Sequence, residues 1–241
     1  ITYCIVIFLL LPDCLLAQRN GAYAGELANI SAALKQMQNV RYEYLLAADY
    51  PNGETDKLKG EVFVGNDRKL FYNANEAFTI FYTDTWFYKA DHNEKTVVLV
   101  NIGKHLAPNF KQQMEKDLFA QNMVSLYLDS LIQKHAAVKG LKKDGDTIRM
   151  ELVFPAKMQI KSISLEFNDK EKILISYAMR VFQPWHNDEF GKGKGTTEVI
   201  ACKNFRRISD NKVYGTDKFF VIKKNKVALK KYGTYNLTSK L

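Results

Sequence analysis

Residues 58–102 read LKGEVFVGNDRKLFYNANEAFTIFYTDTWFYKADHNEKTVVLVNI, and this stretch decides the fold. It contains candidate strands at 58–65, 68–74, 77–83, 85–90 and 95–102, separated by short polar turns. Connections of this length join antiparallel neighbours, because a parallel crossover needs a dozen or more residues. The stretch therefore predicts an antiparallel meander.

The rest of the chain adds helices and further strands. Leu27, Ile30 and Leu34 recur at helical spacing, and residues 108–137 predict two short helices with a break near residue 120. Strand patterns return at 147–154, 158–167, 172–182, 196–207, 213–222 and 226–238. About eleven antiparallel strands cannot stay flat, because a twisted sheet of that width curls on itself. We therefore expect an α+β fold, an incomplete antiparallel β-barrel with helices capping a hydrophobic cavity.

Length and composition exclude several classes of protein. Of the 241 residues, 46% are apolar and 25% are charged, so the chain can bury a core and is not a disordered or low-complexity protein. Nothing in residues 18–241 resembles a domain linker. We expect a single domain in which residues 108–137 form a helical lid insertion.

The first 17 residues have the pattern of a secretory signal peptide. An apolar run ends at Pro12, and Ala17 is the small residue expected at a cleavage site, so we expect cleavage after Ala17 and a periplasmic location. Lipidation of Cys14 is an open alternative, although Asp13 precedes it where lipoprotein signals carry a small residue. With cleavage after Ala17, Cys202 is the one cysteine of the mature chain. Its apolar neighbours predict a small buried side chain rather than a nucleophile.

The formal net charge is +9, and residues 203–241 contain eleven Lys and Arg residues against two Asp residues. Such a cluster predicts contact with an anionic membrane surface or an acidic partner protein. The lysines expected to make this contact are Lys223, Lys224, Lys226, Lys230 and Lys231. The alternative is a solvated strand face whose lysines protect a sheet edge. No nucleic acid is expected, because an exported chain without a stacking motif beside its lysines does not fit that role.

Patterns for catalysis and metal binding are not found in the sequence. The four His residues lack partners at metal-ligand spacing, and there is no G-x-S-x-G motif. The GKGKGT stretch at 191–196 lacks the Lys-Ser/Thr step of a phosphate-binding loop. Asp188 and Glu189 are the last candidates for a hydrolase, in a polar loop that would not bury a general acid. We expect no enzymatic activity, no metal and no cofactor.

Aromatic side chains are dense in the meander. Adjacent pairs such as Phe71-Tyr72 and Trp86-Phe87 point to opposite faces of a strand, so both faces of the sheet carry apolar rings. Helices can cover one face. The other face needs a second cover, and a lid helix or a lipid would serve.

Four segments carry a resemblance to a known family. They are LKQMQNV at 34–40 with the Tyr42/Tyr44 strand behind it, GEVFV at 60–64, RKLFY at 68–72 and TDTWFY at 83–88. In this order, and followed by a helical insertion, they resemble the opening helix and strand, the G-x-hydrophobic-aromatic-V strand, the R-P-x-x-F segment and the S-D-G-x-x-x-W-x-Y hairpin of the LolA family of periplasmic lipoprotein carriers. Lys69 and Thr85 stand where that family has Pro and Gly.

The resemblance implies a half-barrel that shields the acyl chains of lipoproteins, or other lipids, and delivers them toward the outer membrane. It also implies that Arg68 locks the lid. The residues expected to bind lipid are Tyr42, Tyr44, Phe63, Phe71, Phe78, Ile80, Trp86, Tyr88, Leu128 and Leu131. The alternative is a periplasmic module of the same fold that senses a lipid or lipoprotein and signals through a partner. In both cases we expect a monomer.

Overall fold

Antiparallel hairpins make up most of the part of the chain that the structure describes. The structure is a computed structural model, and it describes residues 22–35, 39–65, 70–113, 132–184, 195–209, 214–224 and 226–241. Its strands are β1 (Val40–Asp49), β2 (Thr55–Val64), β3 (Leu70–Asn75), β4 (Phe78–Thr83), β5 (Trp86–Asp91), β6 (Thr96–Asn101), β7 (Ala137–Asp144), β8 (Thr147–Val153), β9 (Ile160–Asn168), β10 (Ile173–Pro184), β11 (Gly195–Arg207), β12 (Phe220–Lys223), β13 (Lys226–Leu229) and β14 (Asn236–Lys240). Its helices are α1 (Ala24–Lys35) and α2 (Ile102–His105), with helical residues also at 108–113 and 132–135 and a 3-10 turn at Thr216–Lys218.

Twelve of the described strands lie in one sheet, in the order β14-β6-β5-β4-β3-β2-β1-β11-β10-β9-β8-β7. The sheet ends at β14 and β7 and does not close among these strands, which confirms the predicted α+β class and the large, incompletely closed antiparallel sheet. The strands β12 and β13 form a separate hairpin. An exception to the antiparallel pairing is β14, which runs parallel to β6 with Asn236 opposite Thr96.

The meander predicted from residues 58–102 is confirmed, and polar side chains close its turns. The Asn75 Oδ1 accepts hydrogen bonds from the backbone N–H groups of Ala77 and Phe78, each at 2.8 Å. Thr83 and Asp91 accept backbone N–H groups in the same way at the next two turns. Short Asn, Asp and Thr side chains favour turns because they satisfy backbone donors that leave the strand ladder. The hairpins are therefore specified locally.

Three predicted boundaries are wrong. The sequence predicts that a helix ends at residue 137, yet β7 begins there, because the change from helix to strand falls at Ala136-Ala137, where no turn-forming residue marks it. The long strand expected at 213–222 is instead a 3-10 turn followed by the short β12, and the strand expected at 226–238 is divided between β13 and β14. Residues 114–131 of the predicted lid lie outside the described residues. No helix among the described residues is long and apolar enough to cross a membrane.

The chain forms two compact units, and the first comprises residues 1–36, 48–55 and 125–201. Its strands β8, β9 and β10 place Met150, Leu165 and Tyr177 opposite one another on the buried face, and bulges in β10 interrupt the alternation of that strand. Helix α1 contacts β10 and buries Ile30 and Leu34, as the helical spacing predicts. The other face is polar and exposed, so α1 covers the one apolar face of this unit.

The second unit comprises residues 37–47, 56–124 and 202–241. It contains β2 to β6, most of β1, the last part of β11 and the chain from β12 to β14. Every described residue proposed for lipid binding belongs to this unit.

Candidate functional site

One face of the meander in the second unit is covered by the chain's own C-terminal segment. The covered face consists of Phe63, Tyr72, Phe81, Tyr88 and Leu99, which stand opposite one another across β2 to β6. None of the five is more than 6% exposed. The second cover that the sequence requires is thus supplied, on this face, by residues 214–241.

Aromatic rings make this cover. Tyr214 stacks on Phe63 with ring centroids 4.1 Å apart, and Phe219 stacks on Phe81 at 4.7 Å. Phe220 meets the ring of Trp86 edge-on at 5.4 Å. Stacked and edge-to-face pairs of buried rings stabilise a contact beyond the area that they bury. The C-terminal segment is therefore a constituent of the core of this unit.

A polar cluster fastens the end of the same segment. The Thr79 Oγ1 lies 3.1 Å from the His92 Nε2 and 3.1 Å from the Tyr232 hydroxyl, and the His92 Nδ1 lies 3.3 Å from the Tyr235 hydroxyl. Beyond it, β14 pairs with β6. The segment is thus held by rings, by hydrogen bonds and by a strand ladder.

Tyr88 is a polar exception within the covered face. Its side chain is fully buried, and its hydroxyl has no hydrogen-bond partner among the described residues. Burial raises the pKa of this hydroxyl well above its usual range, because the ionised form would lose its hydration. The hydroxyl therefore stays protonated at ordinary pH.

The opposite face of the same strands is here called the Tyr44 face. Its two rows are Val64, Phe71, Tyr82, Phe87 and Val100, and Val62, Asn73, Ile80, Lys89 and Val98. Tyr42, Tyr44 and Leu46 of β1 alternate onto this side. The face is predominantly apolar, with Asn73 and Lys89 as its polar members.

Two hydrogen bonds hold the Tyr44 side chain in place on this face. Its hydroxyl donates to the Asn73 Oδ1 at 3.1 Å and accepts from the Asn75 Nδ2 at 2.8 Å. Gly60 makes this possible, because a Cβ at that position would lie 2.5 Å from the Tyr44 ring. Burial raises the pKa of Tyr44, and its hydrogen bonds with Asn75 and Asn73 offset part of that rise.

Several large apolar side chains of the Tyr44 face remain accessible. Leu46 and Val98 are each 37% exposed, and Ile80 and Phe87 are half-buried. The rings of Phe71 and Tyr82, at the centre of the Tyr44 face, are buried as completely as those of the covered face. Partly exposed apolar side chains around such a buried centre suit a surface that binds an apolar ligand.

The first turns of the predicted lid insertion are anchored to the meander. The Lys111 Nζ donates to the Asp84 carbonyl at 2.7 Å, which ties residues 108–113 to the turn between β4 and β5. Phe110, in this helical segment, is 64% exposed. The lid-locking residue Arg68 and the lid residues Leu128 and Leu131 lie outside the described residues.

The residues proposed for lipid binding divide between the two faces. Tyr42, Tyr44, Phe71, Phe78 and Ile80 lie on the Tyr44 face. Phe63, Trp86 and Tyr88 lie on the covered face, against residues 214–220. Sequence reasoning recognises that both faces carry rings. It does not identify the rings of Tyr214, Phe219 and Phe220 as part of the core. The sequence feature that could have identified them is an apolar cluster inside the most basic part of the chain.

Groups suited to metal binding or nucleophilic chemistry are scarce in the described part of the chain. No cluster of three or more His, Cys, Asp or Glu side chains occurs among the described residues. Cys202 is 3% exposed, which confirms it as a small buried side chain.

Comparison with known proteins gives matches only among solved structures. No family model matches the chain, and no curated protein matches it. A LolA superfamily protein from Nitrosomonas europaea is 10% identical with a TM-score of 0.33, covering 80% of this chain and 97% of that one. An uncharacterized conserved protein from Thermus thermophilus is 9% identical with a TM-score of 0.38, covering 90% and 99%. An outer membrane lipoprotein-sorting protein domain from Vibrio parahaemolyticus is 8% identical with a TM-score of 0.33, covering 80% and 96%.

Proposed function

We propose that this protein is a periplasmic, monomeric carrier that holds the acyl chains of a lipoprotein or another lipid on the Tyr44 face and delivers them toward the outer membrane. The observation that carries the proposal is the difference between the two faces of the meander. The chain's own C-terminal segment seals one face, whereas on the other face Leu46, Ile80, Phe87 and Val98 keep part of their surface exposed around the buried Phe71 and Tyr82. The resemblance of residues 34–88 to lipoprotein carriers supports the same function.

Energetics favour a site that is only partly enclosed. Burying an acyl chain gains about 0.8 kcal/mol per CH₂, so a fully enclosed sixteen-carbon chain would gain about 12 kcal/mol, which corresponds to nanomolar binding. A carrier that held several chains so tightly could not release them. A face with half-exposed side chains suits reversible binding, and residues 108–113 are tied through Lys111 to the β4–β5 turn of the same meander.

Native mass spectrometry with lipid extraction tests the proposal. The protein is purified from a periplasm without detergent and compared with Val98→Asp, which places a charge on the Tyr44 face. Leu237→Asp is the matched control. Leu237 is 36% exposed, close to the 37% of Val98, and its strand β14 pairs with β6 next to the covered face. We expect bound lipid in the wild type and the control, and a loss of affinity of about ten-fold in Val98→Asp.

Two results would reject the carrier function. A protein that contains no lipid and takes up none when lipid is added has no acyl-chain site. A protein that binds free lipid but does not extract labelled lipoprotein from vesicles is a sensor rather than a carrier, because a carrier must remove its cargo from a membrane.

A further inference from the structure

We propose that the β12–β13 hairpin docks this protein onto an anionic lipid bilayer. The basic hairpin is defined as residues 218–224 and 226–231, which contain no acidic residue. Its lysines are Lys218, Lys223, Lys224, Lys226, Lys230 and Lys231, and all six are exposed. This inference does not rest on acyl-chain binding, since the hairpin packs on the covered face.

The basic hairpin concentrates six lysines in a short segment that carries no carboxylate of its own. Arg41, Lys139, Lys143, Arg149 and Lys172 each form a salt bridge with a carboxylate at 2.5–3.4 Å. No hairpin lysine belongs to a salt bridge found among the described residues. Six cations without carboxylate partners on a short hairpin create a local positive potential that attracts an anionic surface.

The hairpin presents these charges from a fixed platform. Phe219 and Phe220 are 3% and 4% exposed and pack into the covered face. The carbonyl of Phe219 accepts backbone hydrogen bonds from Lys230 at 2.8 Å and Lys231 at 3.3 Å. Because the backbone is already ordered, docking costs little conformational entropy beyond that of the lysine side chains.

An exposed apolar side chain favours a bilayer over an acidic protein as the partner. Ile222 is 38% exposed near the turn of the hairpin, beside the Lys223–Lys226 pair in sequence but on the opposite side of the strand. Lysines attract lipid headgroups, while an exposed apolar side chain at the same tip enters the boundary between headgroups and acyl chains. Ionic attraction to an acidic protein would not bury the exposed side chain of Ile222.

Co-sedimentation of the full chain with vesicles tests the proposal. The probes are phosphatidylcholine vesicles and equimolar phosphatidylcholine and phosphatidylglycerol vesicles. Lys223→Gln/Lys226→Gln removes two charges that stand opposite one another across the hairpin. Lys142→Gln/Lys170→Gln is the matched control, with the same change in net charge on exposed residues of β7 and the β9–β10 turn. Circular dichroism melting verifies that every variant folds.

We expect binding to the anionic vesicles only, weakened by salt. Each lysine near an anionic surface contributes about five-fold to binding, so the hairpin variant should bind about 25-fold more weakly and the control nearly as the wild type does. Ile222→Ser should lower binding about ten-fold, including the part that persists at high salt. Equal binding to both vesicle types, an equal loss in the control, or no binding even at low salt would overturn the proposal; the last result would favour an acidic protein as partner.

Discussion

The hydroxyl groups of Tyr88 and Tyr44 lie on opposite faces of the meander and have opposite surroundings. The Tyr88 hydroxyl is buried without a partner among the described residues, whereas the Tyr44 hydroxyl makes two hydrogen bonds. An unsatisfied buried hydroxyl costs free energy, so Tyr88→Phe should raise the free energy of unfolding by about 1 kcal/mol. Tyr44→Phe removes the same atom but takes one hydrogen bond from each of the amides of Asn73 and Asn75, and should lower the free energy of unfolding by about 1–3 kcal/mol. Urea denaturation of the two variants measures both values, and a destabilised Tyr88→Phe would contradict the prediction.

At the scale of elements, the C-terminal segment depends on Phe219. This ring packs against Phe81, Tyr72 and Tyr88, with centroids at 4.7, 6.0 and 5.3 Å. Phe219→Ala leaves a cavity in the core of the second unit and should lower the free energy of unfolding by about 3–5 kcal/mol. Loosening of the segment should also expose the covered face, so binding of a hydrophobic dye should rise. Phe110→Ala, at a side chain that is 64% exposed, is the control and should change neither measurement.

The elements that could be predicted are those specified by local interactions. The hairpins of residues 58–102 follow from alternating side chains and from turn residues such as Asn75 and Asp91, which bond to their own backbone neighbours. The start of strand β7 is not predictable in this way, because it falls at Ala136-Ala137, and alanine favours a helix over a strand. The parallel pairing of β14 with β6 joins residues about 140 positions apart, from Asn236 to Thr96, and no local pattern signals it.

At the scale of the whole molecule, the candidate site could be predicted only in its residue types. The doublets in the meander correctly predict rings on both faces of the sheet. Which face stays accessible is decided by contacts of Tyr214 and Phe219 with Phe63 and Phe81, across some 140 to 150 positions of sequence. The basic composition of residues 203–241 gives no indication that their rings cover one face of the meander, because the buried rings lie between exposed lysines. An apolar site was therefore predictable, and the choice of face was not.

The tyrosines of the second unit make its stability depend on pH in the alkaline range. Burial raises the pKa of Tyr42, Tyr72 and Tyr88 well above the usual value, so their hydroxyls stay protonated in the folded state. In the unfolded chain they ionise near pH 10, where the unfolded state begins to bind fewer protons than the folded state. The free energy of unfolding should thus be constant below about pH 9 and fall above pH 10, by about 1.4 kcal/mol per pH unit for each tyrosine.

Urea denaturation at a series of pH values measures this slope, with tyrosinate absorbance as the probe of ionisation. Tyr88→Phe removes one titrating group from the unfolded chain, so its slope should be shallower than that of the wild type by about 1.4 kcal/mol per pH unit. If the variant and the wild type lose stability in parallel, Tyr88 is not buried as a protonated hydroxyl, and the covered face is open to water.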